Sequence, residues 1–202
     1  MPIRKPHVAV ASVARTSAEV LVGVLIDRKA QANVTAQALP HWRRLTPLAA
    51  WAAITLPGIG RNEILKAVDA TLERRGVPAR RLILLGEGIA ARRTLELVLQ
   101  GALACAGMLA IGLPCGALSF PVAPTAAAIR LVVHPQGRRA SDDLIEALRA
   151  ADIDERVIRL NPAGAGDSLI AASAAETFVL ELVAAVGHQA RYGVRTDEIQ
   201  TT

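Results

Sequence analysis

Short acid-free runs rich in Val, Ile and Leu recur along this chain, and segments of helical period separate them. The runs are 20–26 (Val-Leu-Val-Gly-Val-Leu-Ile), 48–56, 82–85 (Leu-Ile-Leu-Leu), 104–111, 129–133 and 156–160. A strand covered on both faces reads as such a run, because neither side of it meets water. Between them lie helical segments at 32–45, 62–76, 89–99, 141–151 and 168–186. In the second, Ile64, Leu65, Val68 and Leu72 share one face and Gly76 supplies the stop. In the fourth, Ser141-Asp142-Asp143 is expected to cap the start and set two acids against the helix dipole. Strands alternating with helices predict an α/β protein, a three-layer sandwich with a mostly parallel central sheet. The expected organisation is one domain over residues 1–187 and a polar tail over 188–202.

Composition narrows the function classes. Hydrophobic residues make up 52% of the 202 and charged residues 20%, enough apolar surface for a large core. Aromatics are only 2%, which argues against a base-stacking platform and so against a nucleic-acid partner. The net charge of +5 comes almost entirely from arginine, since Lys5, Lys29 and Lys66 are the only lysines. The arginine pairs are scattered, so they read as solvated surface. Two cysteines, Cys105 and Cys115, sit in apolar surroundings. They make no disulfide framework, and buried thiols in a cytoplasmic protein are expected. His7, His41, His134 and His188 lack ligand spacing, so no metal and no cofactor are expected. Between Glu96 and Arg130 no residue is charged, but Pro114, Pro121 and Pro124 break that stretch into pieces too short to span a bilayer. No membrane partner is expected. The stretch is expected to pack on the core or against a second subunit, which favours a homodimer.

The strand–turn–helix at 82–99 carries the chemistry-bearing pattern. Gly86, Gly88 and Ala91 match G-x-G-x-x-A, a dinucleotide-binding turn. Against that reading, two strands precede the turn, no acid follows to hold a ribose, and Glu87 would face a pyrophosphate. In the second reading the turn is a nucleophile elbow, with small residues Gly86 and Ala90 two places either side of the strained position, here Gly88. An ordinary strand-to-helix turn with two glycines fits the pattern as well.

Four stretches together resemble the carboxylesterase/phospholipase branch of the α/β-hydrolase fold. Leu82–Ala91 looks like its strand, elbow and helix. Residues 126–139, with Ile129-Arg-Leu-Val-Val-His134-Pro-Gln-Gly, look like the strand that delivers the catalytic acid. Residues 156–168, with Arg-Leu-Asn-Pro-Ala-Gly-Ala-Gly-Asp-Ser, look like the last strand and the loop that presents the histidine. Residues 168–186 look like the closing helix. The resemblance implies that the triad positions fall on Gly88, Arg138 and Asp167, none of which is a usable member in its place. It also implies a cleft lined by Asp27, Arg28, Glu87, Ile89 and His134. The expected function is therefore a hydrolase-like protein without turnover, a pseudoenzyme that binds a small molecule in the vestigial cleft or self-associates. The alternative is an active carboxylesterase or acyl hydrolase with a relocated nucleophile, drawn from Ser119, Ser168 or Cys115, with His134 as base. The third reading is nucleotide binding at the Gly86-Glu87-Gly88 turn.

Overall fold

The computed structural model describes residues 20–27, 34–114, 116–133, 138–160 and 167–192. Six strands are present among them: β1 (Val20–Asp27), β2 (Ala49–Leu56), β3 (Leu82–Glu87), β4 (Gly107–Ile111), β5 (Ala128–Val133) and β6 (Glu155–Arg159). Five α-helices join them: α1 (Val34–Leu45), α2 (Arg61–Arg75), α3 (Gly88–Leu99), α4 (Arg138–Ala150) and α5 (Asp167–Tyr192). All six strands pair in parallel, in the order β2-β1-β3-β4-β5-β6. The fold is thus the expected α/β sandwich. The helix expected to end near residue 186 continues to Tyr192.

Alternation of side chains along the strands builds two cores. Leu21 and Leu25 of β1, Leu82 and Leu84 of β3, and Met108 and Ala110 of β4 face α2, α3 and α4. Val22 and Val24, Ile83 and Leu85, and Leu109 and Ile111 face the opposite way, toward α1 and α5. Both faces of the central strands are therefore dry, which is why those strands carry no acid before Asp27 and Glu87, the last residues of β1 and β3.

The direction of chain winding places the crevice. From β1 the chain crosses to β2 through α1 on one face. From β3 it proceeds toward β6 with α3 and α4 on the other face. The neighbouring strands β1 and β3 thus send their following helices to opposite faces. A crevice opens at such a switch point, outside the carboxyl ends of the strands. Among the described residues the β4–β5 crossover has no helix. Residues 112–114 and 116–127 run over the α3 face without regular structure, with Leu118, Phe120 and Val122 against the core and Ala117 O accepting from Arg92 Nη2 at 3.1 Å. The uncharged stretch is thus divided among α3, a central strand and this loop. Among the described residues one helical segment, Leu169–Ala190 of α5, is long and apolar enough to cross a membrane by length and composition alone. Its Ala171, Ala175, Phe178, Leu182 and Val186 are buried against the sheet and α1.

Three local expectations are corrected. Helix α4 starts at Arg138, so Ser141 is not its cap and no acid lies in its first turn. Not all arginines are solvated: Arg92 and Arg130 are buried. Arg130 occupies the slot on β5 that alternation assigns to the α5 face. There it binds Glu181 Oε1 through Nε (3.0 Å) and Nη2 (2.6 Å), Asp154 Oδ2 through Nη2 (3.1 Å), and the carbonyls of Ile129 and Asp154. Burial would lower the pKa of this guanidinium, but its bonds and charge contacts with Glu181 and Asp154 hold it above the ordinary value.

Cys105 packs at the margin of the α2–α4 core, and burial pushes its thiol up to about 12, partly offset by a hydrogen bond with the Gly107 backbone. The expected result is that iodoacetamide at pH 8 leaves Cys105 unmodified in the folded protein and alkylates it in urea, as read by peptide mass mapping. An unfolded thiol ionises near pH 8.5, well before the folded one. Wild type should therefore lose stability relative to Cys105→Ala as pH rises from about 9 toward 12, and not below that window. Cys115 lies outside the described residues.

Candidate functional site

Strand β3 ends at the switch point and α3 begins at once, with Gly88 as its first residue. Gly88 has φ +60°, a conformation that side-chain-bearing residues resist. A Cβ built there would meet nothing within 4 Å, so the turn faces open space. Two residues earlier the chain is tight. A Cβ on Gly86 would lie 2.9 Å from Leu25 Cδ1 and 3.2 Å from both Cα and Cβ of Ala91. Small residues at 86 and 91 thus let α3 turn back closely on the sheet. The first N–H groups of α3 have no partner within the helix and lie beside the open turn.

Glu87 is the last residue of β3, and its carboxylate reaches the start of α1. Thr35 donates to Glu87 Oε2 from both N and Oγ1, each at 3.3 Å. A carboxylate at the first turn of α1 meets free N–H groups and the positive end of the helix dipole. The contact ties the start of α1 to the elbow. No sequence pattern announces it, because the partners stand 52 residues apart. It also weighs against the nucleotide reading, since the turn already holds an anion.

Asp27, Ile89, Arg138 and Asp167 lie on the same edge. Asp27 ends β1, and continuing the β1–β3 register from Val24 and Leu85 brings it abreast of Gly88. Ile89 follows Gly88 and is partly exposed. Arg138 opens α4 after β5, and Asp167 opens α5 after β6. These two strands are neighbours, with Leu160 N donating to Val133 O at 2.9 Å. Strand spacing of about 4.8 Å puts the ends of β3 and β5 roughly 10 Å apart. The backbone therefore gathers Gly88, Arg138 and Asp167 along one edge. The side chains of Arg138, Asp167 and Ser168, and all of Arg28 and His134, lie outside the described part. Ser119 is exposed on the 112–127 loop. Among the described residues no group of three or more His, Cys, Asp or Glu is arranged to hold a metal.

No family model matches the sequence, and neither does any curated protein. Solved structures do match the fold. Esterase PE8 superposes with a TM-score of 0.62 at 16% identity, over 82% of this chain and 94% of its own. A Bacillus cereus carboxylesterase superposes with a TM-score of 0.63 at 11% identity, over 82% and 90%. YahD, solved with malic acid, superposes with a TM-score of 0.58 at 12% identity, over 81% and 94%. These neighbours correct the expectation of a protein without turnover. They are esterases and their structural kin, which favours the active alternative, and a glycine at position 88 does not by itself establish that the triad is lost. The six parallel strands, their order and the open elbow at the switch point give this chain the α/β-hydrolase fold, of carboxylesterase-like form.

Proposed function

We propose that this chain is a carboxylic ester hydrolase whose nucleophile stands away from the elbow. The observation that carries the reading is the open turn at Gly88. Its φ of +60° and empty surroundings leave room for a substrate carbonyl beside the free N–H groups at the start of α3. Such donors stabilise the oxyanion of a tetrahedral intermediate whichever residue attacks. Glycine has no nucleophile to offer, so attack falls to Ser119, Ser168 or Cys115, with His134 taking the proton. In the sequence His134 follows directly on Val133, the last residue of β5. The likeness to esterases and a carboxylesterase supports ester substrates over other acyl compounds.

The test is incubation with a fluorophosphonate, intact mass, and mapping of the modified peptide, alongside hydrolysis of p-nitrophenyl butyrate. One adduct on 115, 119 or 168 is expected, and His134→Ala should lower kcat/KM by about 10²–10⁴-fold. Absence of both adduct and turnover would sink the reading.

A further inference from the structure

Helices α2 and α3 leave a cavity of about 490 Å³ between the start of α2 and the later part of α3. Small-molecule sites span roughly 300–1,000 Å³. Asp27, Gly88 and Ile89 do not line it, and its α3 residues start at Arg93, so it lies apart from the elbow. The floor is apolar. Ile64 and Leu97 are buried core residues, and Ile59 adds to the wall. Gly60 brings no side chain to fill the space. A guanidinium from each helix stands over this floor. Arg61 Nη1 donates to Gln100 Oε1 at 3.2 Å, a neutral partner that leaves its charge in place. Arg93 Nη1 donates to Glu96 Oε2 at 3.0 Å, but Glu96 also accepts from Arg92 Nε at 2.8 Å, so one carboxylate serves both arginines. Glu63, the acid in the first turn of α2, is turned onto Gly60 N at 3.0 Å. Arg61, Arg92 and Arg93 against Glu63 and Glu96 leave one positive charge in excess.

We propose that the α2–α3 cavity binds an aliphatic monocarboxylate, with its head on Arg61 and Arg93 and its chain on Ile64 and Leu97. The guanidinium fork matches a carboxylate in bidentate geometry, and it keeps its charge at every physiological pH. The excess of one positive charge suits a monoanion. The buried floor rewards an aliphatic body, which inorganic phosphate lacks. The inference stands apart from the hydrolase reading, because it needs no turnover and uses no residue of the elbow.

The experiment is calorimetric titration of the full chain with octanoate, butyrate and inorganic phosphate at fixed ionic strength. Each methylene buried on the floor is worth about a two- to fourfold gain in affinity. Octanoate should therefore bind at least about tenfold tighter than butyrate, and phosphate more weakly than octanoate. Three variants at exposed positions test the head: Arg61→Gln, Arg93→Gln and Gln100→Glu. Arg93→Gln leaves Glu96 paired with Arg92, and Gln100→Glu gives Arg61 a carboxylate of its own. Each should weaken octanoate by about tenfold, with thermal unfolding close to wild type. Octanoate binding that all three variants leave unchanged lies elsewhere on the protein and overturns the proposal. So does equal affinity for butyrate and octanoate, which would mean that the floor is not used. Phosphate binding as tight as octanoate, and lost in the same variants, would reduce the cavity to a plain anion site and overturn the aliphatic ligand. Absence of octanoate binding would end the proposal and leave the hydrolase reading untouched.

Discussion

Arg130→Ala is expected to lower the free energy of unfolding by about 3–5 kcal/mol, because it removes the cation from a buried charge network and leaves Glu181 behind. The side chain is 3% exposed, and it joins three separate parts of the fold. Its own strand is β5, Asp154 precedes β6, and Glu181 lies on the closing helix. Four nitrogen–oxygen contacts to side chains and two to carbonyls engage all three guanidinium nitrogens. Arg156 also reaches Glu181, at 3.3 Å, but from an exposed position that water screens. The partners should therefore respond unequally. Asp154 is 62% exposed, so Asp154→Ala should cost under about 1 kcal/mol. The double variant Arg130→Met, Glu181→Leu should recover much of the loss, since apolar groups of similar volume often replace a buried pair without penalty. Urea unfolding of the four proteins measures this. A loss below about 1 kcal/mol for Arg130→Ala would show that the network adds little beyond what water supplies.

The sheet and its helices were legible because dryness on both faces forbids acids along a strand and helices show their period. The run at 82–85 and the helix of 62–76 follow this rule, and the structure has both. Gly76 ends α2 in the left-handed conformation, as its place in the sequence implies. Helix α4 was misjudged at its start because Ser141-Asp142-Asp143 is a good local cap, and the chain places its first turn earlier all the same. Arg130 gave one signal, a lone charge inside an apolar strand. Its partners lie 24 and 51 residues away, and no local pattern joins them. The elbow was legible from glycine spacing. Its use was not, because a nucleophile, base and oxyanion donors are defined by mutual distance, which sequence order does not carry. Reading the altered stations Gly88, Arg138 and Asp167 as the loss of all activity was the error, since activity belongs to a site in space and not to a station in the sequence.

Gly86→Val should damage the site through the backbone, and the contrast with two other glycines isolates the cause. A Cβ at 86 would sit 2.9 Å from Leu25 Cδ1, the far end of a side chain that can rotate away. It would also sit 3.2 Å from Ala91 Cα, which moves only if α3 moves. Overpacking of this kind costs about 1–3 kcal/mol for one added group, and the branched valine belongs at the upper end. The expected displacement lifts the first turn of α3 off the sheet, and with it the N–H groups at the open turn. Ester turnover should therefore fall by more than the loss of folded protein explains. Gly88→Ala has the opposite character: its Cβ meets nothing within 4 Å, but φ is +60°, so the cost is conformational and about 1–2 kcal/mol. Gly76→Ala, at φ +62° with equally open surroundings on the far end of α2, should carry the same conformational cost and leave turnover alone. Thermal unfolding and p-nitrophenyl butyrate hydrolysis on the three variants separate these effects. If Gly86→Val keeps wild-type kcat/KM while folded, the close packing of Gly86 on Ala91 does not position the elbow, and the donors at the start of α3 are held by something else.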